Sequence, residues 1–261
     1  MFCGMYENTP FCLKGRSALV TGGSRGLGRE MAKNLALAGA EVAICSRTAD
    51  GVTAAAKELS SETGARVEGI VADVGQRKAT EGLAREAIDR MGKIDILISN
   101  AGWNIPQSAE AITDEAWDSL LELNLTSAMV LTRALSPAMM ERKWGRIVYT
   151  SSIMAIASTA ERPVYSATKA ALNGMMRANC LHLGAHGITV NCICPGPFAT
   201  EMPMSILSAD QQKRFADRTA LLRWGQPHEL APAVLLLASE AGGYITGSVL
   251  VVDGGVTIRM F

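Results

Sequence analysis

Tyr165 and Lys169 stand four residues apart in the run Tyr165-Ser166-Ala167-Thr168-Lys169, and Ser152 lies thirteen residues before the tyrosine. Residues at i and i+4 share one face of a helix, so a phenol and an ammonium in this pattern point into the same space. A nearby ammonium favours the phenolate and lowers a phenol pKa that is about 10 in model peptides. Bringing it to about 7 takes roughly 4 kcal/mol of differential stabilisation, at about 1.4 kcal/mol per tenfold step. One desolvated cation plus a second positive charge can supply that, which would make Tyr165 a general acid/base at neutral pH. The pair alone also arises by chance in exposed helices, so its meaning rests on its surroundings.

A second group of residues could hold a nucleotide. Thr21-Gly22-Gly23-Ser24-Arg25-Gly26-Leu27-Gly28 joins an apolar strand-like run to a helical pattern. Gly22, Gly26 and Gly28 let the backbone turn tightly and approach a pyrophosphate, whose charge the helix N-terminus attracts. An acidic residue gripping a ribose 2′-hydroxyl is expected about twenty residues later, at the end of the second strand. The chain reads Cys45-Ser46-Arg47-Thr48 there, with no carboxylate until Asp50. Arg25 and Arg47, with Ser46 beside them, can bracket a 2′-phosphate through a guanidinium fork. NADP(H) is therefore favoured over NAD(H). Asp73, with Val74 next to it, follows the third apolar run, where its short carboxylate can meet an adenine amino group or cap the next helix.

The elements that must position these groups are legible as an alternation. Strand-length apolar runs occur at 18–20, 41–45, 67–71, 94–99, 146–150, 188–193 and 249–252, separated by helical patterns at 28–38, 52–63, 78–91, 114–142, 164–183 and 228–238. The strands are continuously apolar, as expected when helices cover both faces of a parallel sheet. The expectation is one α/β domain: a Rossmann-type, doubly wound, seven-stranded parallel sheet with helices on both faces. Ligands in such sheets bind beyond the carboxyl ends of the strands, and Arg47, Asp73, Asn100-Ala101-Gly102 and Ser152 each follow one of these runs. Residues 1–14 read as a loosely held arm before a domain at 15–261, and 195–227 as a helical flap over the site.

Composition narrows the function classes. The 261 residues carry 25 basic and 25 acidic side chains, a formal net charge of zero. No electrostatic footprint for nucleic acid or an anionic membrane surface follows from that balance. No run approaches the length of a membrane span, and the N-terminus lacks the basic and apolar regions of a signal peptide. The six cysteines form no Cys-x-x-Cys pair and have no histidine at zinc spacing, so no metal is expected. Cys192 and Cys194 read as buried thiols on one strand face, consistent with a reduced, cytoplasmic setting.

Taken together, the chain resembles the short-chain dehydrogenase/reductases. The motifs that carry the resemblance are Gly22-x-x-x-Gly26-x-Gly28, Asn100-Ala101-Gly102, Asn124, Ser152, Tyr165-x-x-x-Lys169, Pro195-Gly196 and Asp253-Gly254-Gly255. They run from residue 21 to residue 255, nearly the whole chain. The resemblance implies hydride transfer between a nicotinamide cofactor and a carbonyl or secondary alcohol. Tyr165 would exchange the proton, Ser152 would hydrogen-bond the substrate oxygen, and Lys169 would tune the tyrosine and bind the nicotinamide ribose. Asn124 would hold a water linking Lys169 to solvent. Asn100, Ala101, Gly102, Pro195, Gly196, Ile193 and Thr200 would line the cofactor. Ser151 competes with Ser152 for the hydroxyl role, with the spacing favouring Ser152. It also implies a homotetramer or homodimer built on the helices at 114–142 and 164–183, with Ile258, Met260 and Phe261 against a neighbouring subunit.

The substrate is less determined. Trp103, Ile153, Met154, Pro197, Phe198 and the flap from 202 to 218 would form a largely apolar wall, with Glu161, Arg162 and Glu201 as polar handles. A 3-oxoacyl-carrier-protein reductase-like ketoreductase ranks first and would want basic surface near the pocket mouth, for which Arg142, Lys143, Arg146 and Arg177 are candidates. A sugar-acid or polyol dehydrogenase resembling gluconate 5-dehydrogenases is the alternative, supported by the run Leu222-Arg223-Trp224-Gly225-Gln226-Pro227. A catalytically silent NADP-sensing regulator is a distant third, since it has no need of Asn124, Ser152, Tyr165 and Lys169 together.

Overall fold

Each apolar run of the sequence forms a strand whose successive side chains enter two different cores. The computed structural model describes residues 6–259. In chain order the elements are β1 (Ser17–Thr21), α1 (Gly26–Leu37), β2 (Glu41–Ser46), α2 (Ala49–Thr63), β3 (Val67–Val71), α3 (Arg77–Met91), β4 (Ile96–Ser99) and α4 (Asp114–Leu121). They continue with α5 (Ser127–Arg142), β5 (Gly145–Thr150), α6 (Pro163–Gly184), β6 (Ile188–Pro195), α7 (Glu201–Ile206), α8 (Ala209–Asp217), α9 (Pro227–Ala238) and β7 (Val249–Val252).

The seven strands are all parallel, in the order β3-β2-β1-β4-β5-β6-β7. Ala18, Val20, Ile96 and Ile98 pack with Met31 and Leu35 of α1, Leu59 of α2 and Val234 of α9. Leu19, Leu97, Ile147 and Tyr149 pack on the other face with Leu83 of α3, Leu135 of α5 and Met176 of α6. Both side-chain faces of a central strand are thus buried, which is why its sequence shows no apolar-polar alternation. The order of strands turns around between β1 and β4, and the register pairs Val20 with Ile98, Ser99 with Tyr149 and Thr150 with Ile193. The carboxyl ends of β1, β4, β5 and β6 therefore finish on one edge, the place where such sheets bind ligands.

Two local expectations are revised. The helical pattern at 114–142 is continuous but contains a π-helical turn at Glu122–Thr126, between α4 and α5, with Asn124 buried within it. One extra residue per turn leaves no trace in hydrophobic period, and such turns often mark functional positions. The arm is not loose over its described part: Leu13 is buried, its N–H donates to Ala38 O, and Ala241 N–H donates to Pro10 O. Residues 1–5 lie outside the described residues. The segment at 195–227, expected to be helical, holds the two short helices α7 and α8, and α8 starts with a reciprocal Ser208–Gln211 capping box.

Candidate functional site

Four chain segments meet at the shared strand edge. The glycine loop follows β1; Gly22 and Gly26 have φ of +64° and +58°, which only glycine adopts without cost. Gly28 is more constrained still, because a Cβ there would stand 2.2 Å from Gly22 O and 2.6 Å from Asn100 Nδ2. Arg25 sits at the start of α1 without a side-chain cap, so the first amides of this helix remain available to an anion. Across the gap, the place a Gly26 Cβ would occupy is 3.6 Å from Thr200 Cγ2, so the loop after β6 faces the glycine loop. The residues present therefore fit a dinucleotide pyrophosphate. Leu27 packs on the core, and Ser24 is half-buried at the loop's tip.

The loop after β4 is locked to β1 by a residue that sequence reasoning left without a role. Thr21 Oγ1 accepts from both Asn100 N and Ala101 N, each at 2.9 Å, while Asn100 Nδ2 donates to Thr21 O at 3.0 Å. A threonine directly preceding the glycine loop was the available signal. Ser46 donates its hydroxyl to Thr48 O, and Arg25 and Arg47 are exposed, their guanidinium groups making neither an ion pair nor a hydrogen bond among the described residues. Asp73 does not cap α3, whose cap position is Gln76; its Oδ1 accepts from Gly75 N at 3.0 Å in an Asx turn. Val74 is buried in the core and offers a ligand only its backbone.

The proton-handling group assembles where α6 begins. Ser152 is buried after β5, and its Oγ accepts from Met154 N at 3.1 Å at the start of the short turn Ile153–Ala155. It also acts on the Tyr165 phenol, favouring the phenolate. Ser151 is engaged elsewhere, since its hydroxyl donates to Lys169 O at 2.9 Å and fastens α6 to the sheet. Lys169 is buried, its Nζ donates to Thr150 O at 2.8 Å and lies 5.5 Å from the centre of the Tyr165 ring. Burial pulls the Lys169 ammonium down to about 8. Burial also raises the Tyr165 phenol above its ordinary value, with the Ser152 hydrogen bond and the Arg162 charge acting in the opposite direction. Among the protein groups alone, desolvation of the phenolate outweighs those two favourable neighbours, and the sequence expectation of a lowered tyrosine rests in addition on a second positive charge.

Asn124 is a clamp. Its Oδ1 accepts from Trp103 N and its Nδ2 donates to Trp103 O, both at 2.9 Å, and Nδ2 also donates to Thr168 Oγ1 at 3.2 Å. Thr168, which no sequence motif marks, donates in turn to Tyr165 O at 2.8 Å. A Cβ on Gly102 would lie 3.1 Å from Asn124 Oδ1 and 3.2 Å from Lys169 Nζ, which brings both groups around one point. The π-helical turn thus holds the loop after β4 against the turn of α6 that carries Tyr165.

Two expected wall and cofactor residues turn their side chains into the core, and the others stay at the strand edge. Phe198 is buried in the core with its ring against Gly225, where a Cβ would sit 2.7 Å from it, so it leaves the wall. Ile193 is likewise buried within the sheet. Pro195 pairs with Val252 in the ladder, and Gly196 lets that strand end approach Asp253, 2.6 Å from where its Cβ would be. Ile153, Met154 and Pro197 are half-buried and Trp103 is exposed beside the edge. The side chain of Met202 lies outside the described residues.

Two sequence arguments about substrate lose their footing. Arg142, Lys143 and Arg146 flank the amino end of β5, at the opposite edge of the sheet, and Arg146 is buried against Glu240 at 3.1 Å. Arg177 lies three turns along α6, away from Tyr165. None of them borders the site. The run at 222–227 is scaffolding: Arg223 binds Glu229 through two bonds of 2.7 Å and Trp224 Nε1 donates to Gln212 O at 2.9 Å, tying α8 to α9.

Comparison with known proteins agrees with this geometry. A family model described as enoyl-(acyl carrier protein) reductase matches residues 22–257. The gluconate 5-dehydrogenase of Gluconobacter oxydans is 38% identical over 96% of this chain and 98% of its own. The 3-oxoacyl-[acyl-carrier-protein] reductase FabG of Salmonella typhimurium is 35% identical over 93% of this chain and 98% of its own. A crystal structure of a gluconate 5-dehydrogenase from Burkholderia cenocepacia in complex with NADP and tartrate superposes with a TM-score of 0.90, at 32% identity, covering 96% of this chain and 98% of that one.

Proposed function

Because this chain belongs to the short-chain dehydrogenase/reductase family, whose members are oxidoreductases of alcohol and carbonyl groups, we propose that it interconverts a carbonyl and a secondary alcohol with NADP(H), with Tyr165 as the general acid/base. The observation that carries the reading is the convergence of Ser152, Tyr165 and Lys169 beside a glycine loop shaped for pyrophosphate. A bound nicotinamide supplies or accepts the hydride and, when oxidised, adds the second positive charge that favours the Tyr165 phenolate. In reduction, Tyr165 gives its proton to the substrate oxygen while the Ser152 hydroxyl donates a hydrogen bond to the same oxygen as negative charge develops. In oxidation, the phenolate takes the alcohol proton. Lys169 holds its positive charge close to the phenol and is itself oriented by Thr150 O. Asn124 and Thr168 act as positioning residues.

Arg25 and Arg47 support NADP(H), since both guanidinium groups are exposed beside the glycine loop and the end of β2 with no partner among the described residues. Replacing Arg47 by Asp removes a fork and places a carboxylate where a ribose hydroxyl can donate. The expected result is a shift of about 10- to 100-fold in the kcat/KM ratio toward NAD(H), the range for one charge-assisted hydrogen bond. Steady-state kinetics with both cofactors checks it, and an unchanged preference overturns the assignment.

Reaction and regulation are separated by following NADPH absorbance with 3-oxoacyl thioesters, diketones and 5-ketogluconate. Turnover of one class supports an enzyme, and NADPH binding without turnover of any supports the sensor. No helix among the described residues is long and apolar enough to cross a membrane. A cytoplasmic homotetramer or homodimer fits this reading, supported by Leu181 of α6 and Trp117 of α4, large apolar side chains left exposed on the helices where subunits would pair. Ile258 is exposed, while Met260 and Phe261 lie outside the described residues.

A further inference from the structure

Three polar side-chain atoms at the edge of the site are buried without a partner: Asn104 Oδ1, Gln107 Oε1 and Arg162 Nη1. Buried polar groups are almost always hydrogen-bonded, and each exception calls for a reason. The two segments that carry them meet. Gln107 N–H donates to Glu161 O at 3.2 Å, which lays the loop after β4 across the residues that open α6. The start of that loop is held by the Asn124 clamp on Trp103, and Arg162 stands immediately before Pro163, the first residue of α6. Arg162 opens the helix that carries Tyr165 three residues on, and its charge favours the Tyr165 phenolate. It makes no ion pair among the described residues, although Glu161 is its sequence neighbour.

The backbone adds an independent sign. Glu161 has φ of +61°, a left-handed conformation unusual for a residue with a side chain. Strain of this kind persists where the surroundings enforce it and clusters at ligand sites. Here it falls on the residue whose carbonyl accepts from Gln107 N, directly before Arg162.

Resting on the oxidoreductase reading, we infer that Arg162, with Asn104 and Gln107, forms a subsite for a carboxylate on an oxygen-rich keto or hydroxy substrate. A carboxylate accepts from the guanidinium in the planar geometry that arginine presents. The two amides, whose unpartnered atoms are oxygens, accept from hydroxyl groups of the same molecule. Proximity to Tyr165 places the anion within a few bonds of the reacting carbonyl, which suits a small keto acid. The phosphate of a carrier-bound acyl chain lies far from its carbonyl and does not suit it.

The pair 5-ketogluconate and L-sorbose tests this, because the two ketones differ only in a carboxylate against a hydroxymethyl group at the far end. NADPH-coupled kcat and KM are measured for both with wild-type protein, Arg162→Met and Arg162→Lys, with NADPH affinity as the check on folding. The expected result is a kcat/KM ratio, keto acid over neutral ketone, that falls about 10- to 100-fold in Arg162→Met. The loss is expected mainly in KM and is partly restored in Arg162→Lys. Equal losses on both ketones overturn the subsite, since Arg162 would then act only on Tyr165. Calorimetric binding of tartrate to the NADP-loaded protein decides the case if neither ketone is reduced. Tartrate binding weakened by Arg162→Met keeps the carboxylate site while the oxidoreductase reading fails on these substrates, and tartrate binding that is absent or insensitive to Arg162→Met overturns the site.

Discussion

Tyr165→Phe is expected to lower kcat by about a thousandfold or more while leaving NADPH binding intact. The phenol can both give and take a proton, and positioned proton transfer is worth about 10²- to 10⁴-fold. Its ring stays in place in the phenylalanine variant, and Ser152 keeps its bond from Met154 N, so the architecture has little reason to change. Pre-steady-state mixing with NADPH fluorescence separates binding from turnover. Residual activity within tenfold of wild type would remove Tyr165 from the proton-transfer step. The pH dependence adds a second test. Burial raises the Tyr165 phenol above its ordinary value, so the protonated acid persists through neutrality. Reduction is therefore expected to stay level through neutral pH, and oxidation, which needs the phenolate, to climb as pH rises.

Lys169→Met is expected to do two opposite things: to cut turnover by about a hundredfold or more and to stabilise the protein measured without added cofactor. The ammonium is buried, with Thr150 O as its hydrogen-bond acceptor, and its pKa falls from 10.5 to about 8. Between those values the unfolded chain binds a proton that the folded chain does not, so the cost of burying the charge is present in full below about pH 8 and disappears as pH rises toward 10.5. That fall corresponds to about 3 kcal/mol, an upper figure for the gain on removing the charge, since the bond to Thr150 O is lost as well. Thermal melts at pH 7 and near pH 10 read this directly. A variant that melts higher at pH 7, with the difference shrinking near pH 10, marks Lys169 as a group held at the expense of stability, the usual condition of a functional residue. A lower melting temperature at pH 7 would show that the Thr150 bond and the packing of the aliphatic stem dominate.

The subsite around Arg162 shows what one-dimensional reading misses. Arg162 reads as a polar handle, but nothing in sequence spacing marks its Nη1 as buried without a partner; that needs Gln107 brought across from the loop after β4. Thr21 and Thr168 escaped for a similar reason. Each is an ordinary threonine in its own segment and acquires a role only through the partner at the other end, Asn100 and Asn124 respectively. Phe198 erred the other way: it follows a strand end near the expected site, yet Gly225 opens a space that draws its ring into the core. The basic residues Arg142, Lys143 and Arg146 were grouped by charge alone, and the strand direction puts them at the far edge.

What the sequence determined by itself was the order of strands and helices, the glycine loop and the helix placement of Tyr165 and Lys169. These are local consequences of hydrophobic period, glycine freedom and the i to i+4 repeat, each carried within a few turns of chain. Tertiary structure decided that Ser152 rather than Ser151 faces the phenol, because Ser151 is bonded to Lys169 O. It decided the protonation balance too: depth of burial moves both Tyr165 and Lys169 away from their ordinary values, and burial is a property of the assembled chain rather than of any segment.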